Sequence, residues 1–151
     1  MPLFNVRVYG ILIDSKKRVL VTDEFIRGNY FTKFPGGGLE FGEGTRDCLK
    51  REFKEEANLD VEIGKHIYTT DFFQISAFNN KDQILSIYYF VHANEPIDLV
   101  THNSPFNFQP HHIADSNGEA EVFRWIEWHE LNEATVSLPI DKVVVRLLKE
   151  A

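Results

Sequence analysis

A run of three glycines followed by a helical pattern constrains this chain more than any other part of its sequence. The glycines at positions 36–38 predict a loop whose backbone can approach a ligand closely. Residues 45–57 contain neither Gly nor Pro, and apolar side chains recur at every fourth position from Leu49, which predicts a helix with one face on a core. Asn58 follows and can adopt the left-handed conformation that ends many helices. We therefore expect a loop, a helix and a second loop in succession.

Two pairs of apolar runs predict β-hairpins. The first hairpin joins residues 4–13 to residues 19–21 across the polar sequence Asp-Ser-Lys-Lys. The second joins residues 59–77 to residues 83–93, which are both enriched in β-branched and aromatic side chains. All four arms are expected to be strands.

The C-terminal third combines a long irregular segment with one strand and one helix. Residues 101–118 contain two prolines and three histidines, and an irregular segment of this length is often a binding loop. Residues 120–128 predict a strand. Ser137 is expected to cap, and Pro139 to open, a terminal helix that runs to Lys149.

The charge balance and the single cysteine exclude several classes of protein. The 151 residues contain 16 Lys plus Arg and 23 Asp plus Glu, a net charge of −7 that argues against a basic groove for a nucleic-acid polymer. Cys48 cannot form an internal disulfide and the first residues show no secretory pattern, so a cytoplasmic location is expected. No apolar run approaches the roughly 20 residues of a membrane span, so no membrane partner is expected. A single domain over residues 1–151 is the first expectation at this length.

Three glutamates on the predicted helix require a counter-charge. Glu52, Glu55 and Glu56 share one face, where like charges repel by about 0.2–0.5 kcal/mol per pair. A divalent cation would offset this repulsion, and clustered carboxylate oxygens suit Mg²⁺ or Mn²⁺ better than a softer metal. The alternative is a solvated acidic face that is balanced by basic residues of the same helix. These basic residues are Arg46, Lys50, Arg51 and Lys54.

The spacing of the glutamates resembles a known signature. From Gly37, five residues lead to Glu43, and seven more lead to the run Arg-Glu-Phe-Lys-Glu-Glu-Ala-Asn-Leu at residues 51–59. This pattern resembles the signature of the Nudix hydrolase family, G-x5-E-x7-R-E-U-x-E-E-x-G-U, in which U is a bulky apolar residue. We call residues 37–59 the Nudix box. The sequence departs from the signature at Asn58, where the family has Gly, and fits it loosely at Phe53.

The resemblance implies both a fold and an activity. The fold is an α/β fold of the α+β kind, in which a mixed β-sheet lies between helices and the Nudix box forms the loop, helix and loop. The activity is Mg²⁺-dependent hydrolysis of the pyrophosphate bond in a nucleoside diphosphate linked to another moiety, such as ADP-ribose, a sugar nucleotide or an oxidised nucleoside triphosphate. The partner would be a small nucleotide, and a homodimer is the expected oligomer. The alternative is a catalytically silent Nudix-like domain that senses a nucleotide without cleaving it.

The resemblance also implies a metal site and a general base. Glu52, Glu55 and Glu56 would hold Mg²⁺, with Mn²⁺ as a substitute, and would be catalytic through it. A further carboxylate from outside the Nudix box would act as general base. Glu119 is preferred to Glu121 for this role because it lies at the edge of the long irregular segment, and a glutamate of the Nudix box itself is the remaining alternative.

Four other residues of the Nudix box receive roles by the same resemblance. Gly37 and Gly38 would bind substrate through close approach of their backbone. Glu43 and Arg51 would form a structural, orienting ion pair, because an arginine cannot give up its proton to act in catalysis.

Aromatic and histidine side chains leave alternatives open. Phe106 and Phe108 could stack on a base or fold the long segment back onto the protein. The histidines could suggest a zinc site, but their spacing matches no common zinc pattern, so surface or pocket positions are preferred. These histidines are His92, His102, His111 and His112.

Overall fold

The computed structural model describes residue 1, residues 3–115 and residues 117–151, so Ser116 of the predicted loop lies outside the described part. The strands are Phe4–Leu12 (β1), Arg18–Ile26 (β2), Asn29–Lys33 (β3), Gly36–Gly38 (β4), Val61–Thr69 (β5), Gln83–Ala93 (β6), Thr101–His102 (β7) and Glu119–Glu127 (β8). The helices are Thr45–Ala57 (α1), Pro110–Ile113 (α2) and Pro139–Glu150 (α3), with short 3-10 turns at Trp128–Glu130 and Glu133–Thr135. No helix in these described ranges has both the length and the apolar character that crossing a membrane requires.

The first of two compact units consists of residues 1–12 and 35–97 and carries α1. Its sheet has the strand order β4-β1-β6-β5, in which β1 runs parallel to β6 and the other neighbours are antiparallel. Gly10 lets α1 approach this sheet, because an added Cβ there would lie 2.8 Å from the Phe53 ring. Leu49 and Phe53 are both buried, so the apolar stripe predicted for the helix is its core face.

The second compact unit consists of residues 13–34 and 98–151. Its sheet has the strand order β3-β2-β8-β7, in which β2 pairs antiparallel with β3 and β8, and β7 runs parallel to β8. The last helix, α3, is amphipathic and opens with a proline, as its sequence predicts. Its buried apolar residues are Ile140, Val144, Val145 and Leu148.

The structure confirms the predicted α+β class and several element bounds. The mixed sheet of the prediction is present as two four-stranded sheets. α1 covers the predicted residues 45–57, and β6 covers the predicted residues 83–93. Asn58 adopts the left-handed conformation, with φ 52° and ψ 36°. The N–H of Asn58 donates to Lys54 (3.1 Å) and the next N–H donates to Phe53 (3.3 Å), so Asn58 ends the helix as a glycine would.

The prediction of a hairpin between residues 4–13 and 19–21 is wrong, although its turn is present. The Asp14 carboxylate accepts the N–H groups of Lys16 and Arg18 at 3.1 and 2.8 Å, which closes a tight turn. Beside this turn, Ile13 and Val19 form one isolated antiparallel bridge. Beyond it, β1 and β2 belong to different sheets. Each strand has two edges, and those of β1 are taken by β4 and β6, while those of β2 are taken by β3 and β8.

Two further boundaries differ from the prediction. The first arm of the second hairpin ends as a regular strand at Thr69 rather than at residue 77. Register shifts disturb its pairing with β6, and beyond Thr69 the pairing is irregular, with a hydrogen bond from Thr70 to Ser86 and an isolated bridge between Ile75 and Gln83. Ser137 does not cap α3, whose N-cap is Leu138. The Ser137 hydroxyl instead accepts the N–H of Thr32 at 2.8 Å, which ties the start of the helix to β3.

Candidate active site

The loop before α1 joins the Nudix box to one edge of the first sheet. Val8 of β1 lies opposite Gly37 of β4 in antiparallel register. The N–H of Leu39 donates to the carbonyl of Val6 at 2.9 Å, which extends this pairing to the start of the loop. The loop then enters α1, which carries Glu52, Glu55 and Glu56 beside its buried face.

Arg51 lies among four carboxylates, and we call these five residues the Arg51 cluster. Its Nε and Nη2 atoms donate to the two oxygens of Glu43 at 3.0 and 2.7 Å. Its Nη1 atom donates to Glu52 at 3.0 Å and to Glu55 at 3.1 Å. The same atom lies 3.7 Å from an oxygen of Glu40. The structure thus brings the predicted pair of Glu43 and Arg51 together in bidentate form, and its orienting role stays a prediction.

The geometry of the Arg51 cluster shifts the ionisation of its members. The hydrogen bond from Arg51 holds the pKa of the Glu43 carboxyl at about 2, well below its ordinary value. The same bond raises the pKa of the Arg51 guanidinium above its ordinary range. Burial, and then hydrogen bonding with Glu43, raises the pKa of the Cys48 thiol to about 12. Cys48 is therefore protonated at neutral pH and serves packing rather than nucleophilic chemistry.

The three glycines of β4 have different neighbours. An added Cβ at Gly36, whose φ is +150°, would collide with a backbone oxygen of β1. At Gly37 the added atom would lie 2.5 Å from the Glu52 carboxylate. At Gly38 it would lie 3.7 Å from Nη1 of Arg7, which is an ordinary contact. Gly37 therefore allows the Glu52 carboxylate to rest against the strand backbone, which a larger residue would prevent.

The carboxylates of α1 fit a hard divalent cation in their chemistry. The side chain of Glu52 is 12% exposed and that of Glu55 is 59% exposed, while Glu56 is exposed one residue further on. All offer oxygen donors, which Mg²⁺ and Mn²⁺ prefer. Arg51 leaves the cluster with an excess of three negative charges. Among the described residues no three carboxylate, histidine or cysteine side chains form a ready-made metal site, so this ligand set stays a prediction.

The two candidates for the general base lie in the second unit, on β8. Glu119 is the first residue of the strand and lies opposite Ile26. Glu121 lies opposite Glu24, and both candidates are exposed. Alternation along a strand places Glu119 and Glu121 on the same face. The choice of Glu119 as general base stays a prediction.

The second unit also contains a buried polar group that the sequence did not reveal, and we call it the Asp23 cluster. The fully buried Asp23 carboxylate accepts bonds from Nε and Nη2 of Arg124 at 2.7 and 3.0 Å. It also accepts the hydroxyl of Thr32 at 2.7 Å and the backbone N–H of Phe106 at 3.2 Å. These partners lie 101, 9 and 83 residues away in sequence, so no local pattern could have indicated them.

Phe106 and Phe108 fold the long irregular segment back onto the second unit. Their ring centroids lie 5.3 and 6.2 Å from that of Tyr30. Phe108 also lies 6.5 Å from Phe25. Phe106 has a left-handed φ of 55°, and its N–H is the one bound by Asp23. Of the two alternatives for these phenylalanines, folding back is the one that the structure shows.

Comparison with known proteins gives a family match and several similar folds. A family model described as the NUDIX domain matches residues 3–148. The chain is similar to the crystal structure of a MutT NUDIX hydrolase from Burkholderia pseudomallei, with 15% identity, a TM-score of 0.66, and coverage of 96% of this chain and 98% of that one. The chain is also similar to a NUDIX hydrolase from Nitrosomonas europaea, with 18% identity, a TM-score of 0.61, and coverage of 99% of this chain and 90% of that one. A third similar structure comes from a study of MutT from Aliivibrio salmonicida and Vibrio cholerae, with 22% identity, a TM-score of 0.62, and coverage of 98% of this chain and 99% of that one.

Proposed function

The chain belongs to the Nudix family of pyrophosphohydrolases, and from this premise we propose that it uses Mg²⁺ to hydrolyse the pyrophosphate bond of a nucleoside diphosphate linked to another moiety. Family membership confirms the predicted enzyme class, whose members act on small nucleotides and generally use a divalent metal ion. The substrate classes proposed are ADP-ribose, a sugar nucleotide and an oxidised or ordinary nucleoside triphosphate. The match over residues 3–148 supports one Nudix domain over residues 1–151.

The Arg51 cluster is the observation that carries this proposal. One arginine lies within 3.7 Å of four carboxylates, so it cannot neutralise them all. Such an excess of negative charge, shared between α1 and the loop before it, is costly unless a cation joins it. Oxygen donors with open positions for water and phosphate are the surroundings that Mg²⁺ prefers.

Some residues of the Nudix box are proposed to bind the metal ion, and others to position the metal ligands and the loop. Glu52, Glu55 and Glu56 would hold Mg²⁺, or Mn²⁺ in its place. When bound, this ion supplies charge neutralisation for the diphosphate and lowers the pKa of water. Arg51 keeps Glu52 and Glu55 side by side and, with Glu43, fixes the loop before the helix.

The remaining assignments rest on the sequence. Glu119, with Glu121 as the alternative, is proposed to take the proton of the attacking water while the bond between the phosphorus and the bridging oxygen breaks. Gly37 and Gly38 are proposed to let substrate approach their backbone. Residues 101–118 are proposed to select the substrate. The cytoplasmic location and the homodimer stay predictions.

A screen for release of nucleoside monophosphate tests the proposed function. Purified protein is assayed against the three substrate classes with Mg²⁺, with Mn²⁺ and with excess chelator. Turnover of at least one class that requires metal is expected, whereas full activity in excess chelator would contradict the proposal. Tight binding without any hydrolysis would favour the catalytically silent alternative.

Metal binding gives a second readout that needs no substrate. An ion that binds the native state alone raises the free energy of unfolding by about 2.7 kcal/mol at 100 times its Kd. We therefore expect Mg²⁺ to raise the melting temperature of the wild-type protein. An unchanged melting temperature across a wide range of Mg²⁺ concentration would count against a metal site in the free enzyme.

A further inference from the structure

The guanidinium group of Arg7 lies against Gly38, one of the two glycines proposed to bind substrate. Arg7 and Gly38 are opposite each other where β1 pairs with β4. Paired residues of a sheet point to the same face, and an added Cβ at Gly38 would lie 3.7 Å from Nη1 of Arg7. Any ligand group that approaches the Gly38 backbone on this face therefore meets the arginine.

Arg7 is oriented by a buried neighbour on its own strand. Its Nε atom donates to the hydroxyl of Tyr9 at 2.6 Å, and its guanidinium carbon lies 5.7 Å from the centroid of that ring. Tyr9 is 3% exposed, and its ring lies 5.4 Å from that of Tyr88. A guanidinium held in one plane loses less entropy when it binds an anion than a freely rotating one.

The two substrate glycines face different charged side chains on the two faces of β4. Gly37 points towards the Glu52 carboxylate, on the face where α1 packs. Gly38, the next residue along the strand, points to the opposite face, towards Arg7. One face of this short strand therefore carries carboxylates suited to a cation, and the other carries a fixed cation.

We infer that Arg7 recognises the phosphoryl oxygens of the substrate, and this inference rests on the proposed function. A diphosphate ester is a polyanion, whereas the chain carries a net charge of −7, so electrostatic repulsion must be offset locally. The planar fork of arginine donates two parallel hydrogen bonds to phosphate, in a geometry that lysine cannot reproduce. Arg7 is thus a specificity-determining residue that favours the anionic part of the substrate over an uncharged analogue.

The test compares Arg7→Ala and Arg7→Lys with a matched arginine of the same unit. Arg46 also stacks on a tyrosine, with its guanidinium carbon 4.7 Å from the Tyr89 ring, but it donates to backbone carbonyls of β5 rather than facing β4. A lost hydrogen bond to a charged group weakens binding by roughly 10- to 100-fold. We expect Arg7→Ala to raise KM by that factor with little change in kcat, Arg7→Lys to raise it less, and Arg46→Ala to leave KM unchanged.

A direct binding measurement separates this inference from the proposed function. Calorimetry with inorganic pyrophosphate and Mg²⁺ should show the same loss of affinity in Arg7→Ala, in protein whose melting temperature is that of the wild type. Tyr9→Phe removes only the hydroxyl that orients Arg7 and should raise KM by a smaller factor. If the wild type hydrolyses substrate but Arg7→Ala and Arg7→Lys keep its KM and its pyrophosphate affinity, the inference fails alone. If the wild type hydrolyses nothing but Arg7→Ala loses pyrophosphate affinity, the proposed function fails and phosphate recognition by Arg7 stands.

Discussion

The Arg51 cluster and the Asp23 cluster are both built around a bidentate contact between an arginine and a carboxylate, yet they differ in charge balance and in exposure. In the Asp23 cluster one arginine meets one carboxylate, which is fully buried and also accepts a hydroxyl and a backbone N–H. In the Arg51 cluster one arginine meets four carboxylates, and Glu55 is 59% exposed. The charges of the Asp23 cluster are satisfied within its own unit, whereas the Arg51 cluster retains negative charge that faces solvent.

This difference separates a group that holds a fold together from one that can bind a ligand. A buried pair must satisfy its own charges, because water cannot do so, and breaking it leaves one charge uncompensated. A partly exposed and unbalanced set contributes less to stability, because water and salt screen its exposed members. Its excess charge is available to a cation. Variants of the Asp23 cluster should therefore change stability, whereas variants of the carboxylates on α1 should change activity.

The largest effect is expected for Asp23→Asn, which removes the buried negative charge while keeping the shape of the side chain. Arg124 would then be a partly buried cation without its counter-charge, and the free energy of unfolding should fall by about 3–5 kcal/mol. Denaturant titration measures this change, and turnover per folded molecule should stay close to that of the wild type. Glu133→Gln breaks the exposed pair of Glu133 and Arg146 in the same unit and should change stability little. Equal losses in both variants would show that burial does not distinguish the clusters.

The converse result is expected for Glu56→Gln, which changes a predicted metal ligand outside the Arg51 cluster, on the exposed face of the same helix. Loss of one predicted metal ligand should lower kcat by about 100- to 1000-fold, comparable to loss of one electrostatic stabiliser at an active site. The melting temperature without metal should change little, because the contacts of an exposed carboxylate contribute little to stability. Glu62→Gln, an exposed change on β5 of the same unit, is the control and should keep wild-type kcat. Unimpaired turnover in Glu56→Gln would remove this residue from the proposed metal site.

The smallest effect concerns the pH dependence of the Arg51 cluster. Arg51 holds the pKa of Glu43 at about 2, below its ordinary 4.5, so ionisation of Glu43 favours the folded state. This contribution is complete above pH 4.5 and is lost as the pH falls towards 2. Melting temperatures measured over this range should fall less steeply in Glu43→Gln than in the wild type. Parallel curves would mean that the ion pair does not stabilise the fold.

Prediction from the sequence succeeded where the determining interactions are local. The bounds of α1 follow from apolar spacing over a few turns, and the left-handed Asn58 follows from a preference of that residue type. The pairing of β1 with β6 joins residues about eighty positions apart, and the turn at Asp14 gave a misleading signal of a local hairpin. Local signals suit turns and helices, whereas strand partners depend on which edges remain available after the whole sheet has formed.

The same limit applies to the candidate site. The glutamates of the Nudix box were found because their spacing within one helix carries the family resemblance. Arg7 gave no signal, because its relation to Gly38 depends on the pairing of two strands that are far apart in sequence. The sequence predicts that Ser137 caps the helix that follows it, but its hydroxyl accepts the N–H of Thr32, which lies 105 residues away. A role that depends on contacts between residues distant in sequence cannot be predicted from a single sequence.

The three glycines of β4 differ in how well each position tolerates substitution. Replacement of Gly36 is opposed by the fold itself, because its φ and the adjacent backbone both exclude a side chain. Replacement of Gly37 would displace only the flexible end of Glu52, so a variant could fold well and still be eliminated for lost activity. Gly38 has room for a Cβ. A library of these three codons that is selected for folding alone should therefore lose diversity at position 36 and keep it at position 38, whereas selection for activity should also reduce diversity at position 38, where substrate is proposed to approach the backbone.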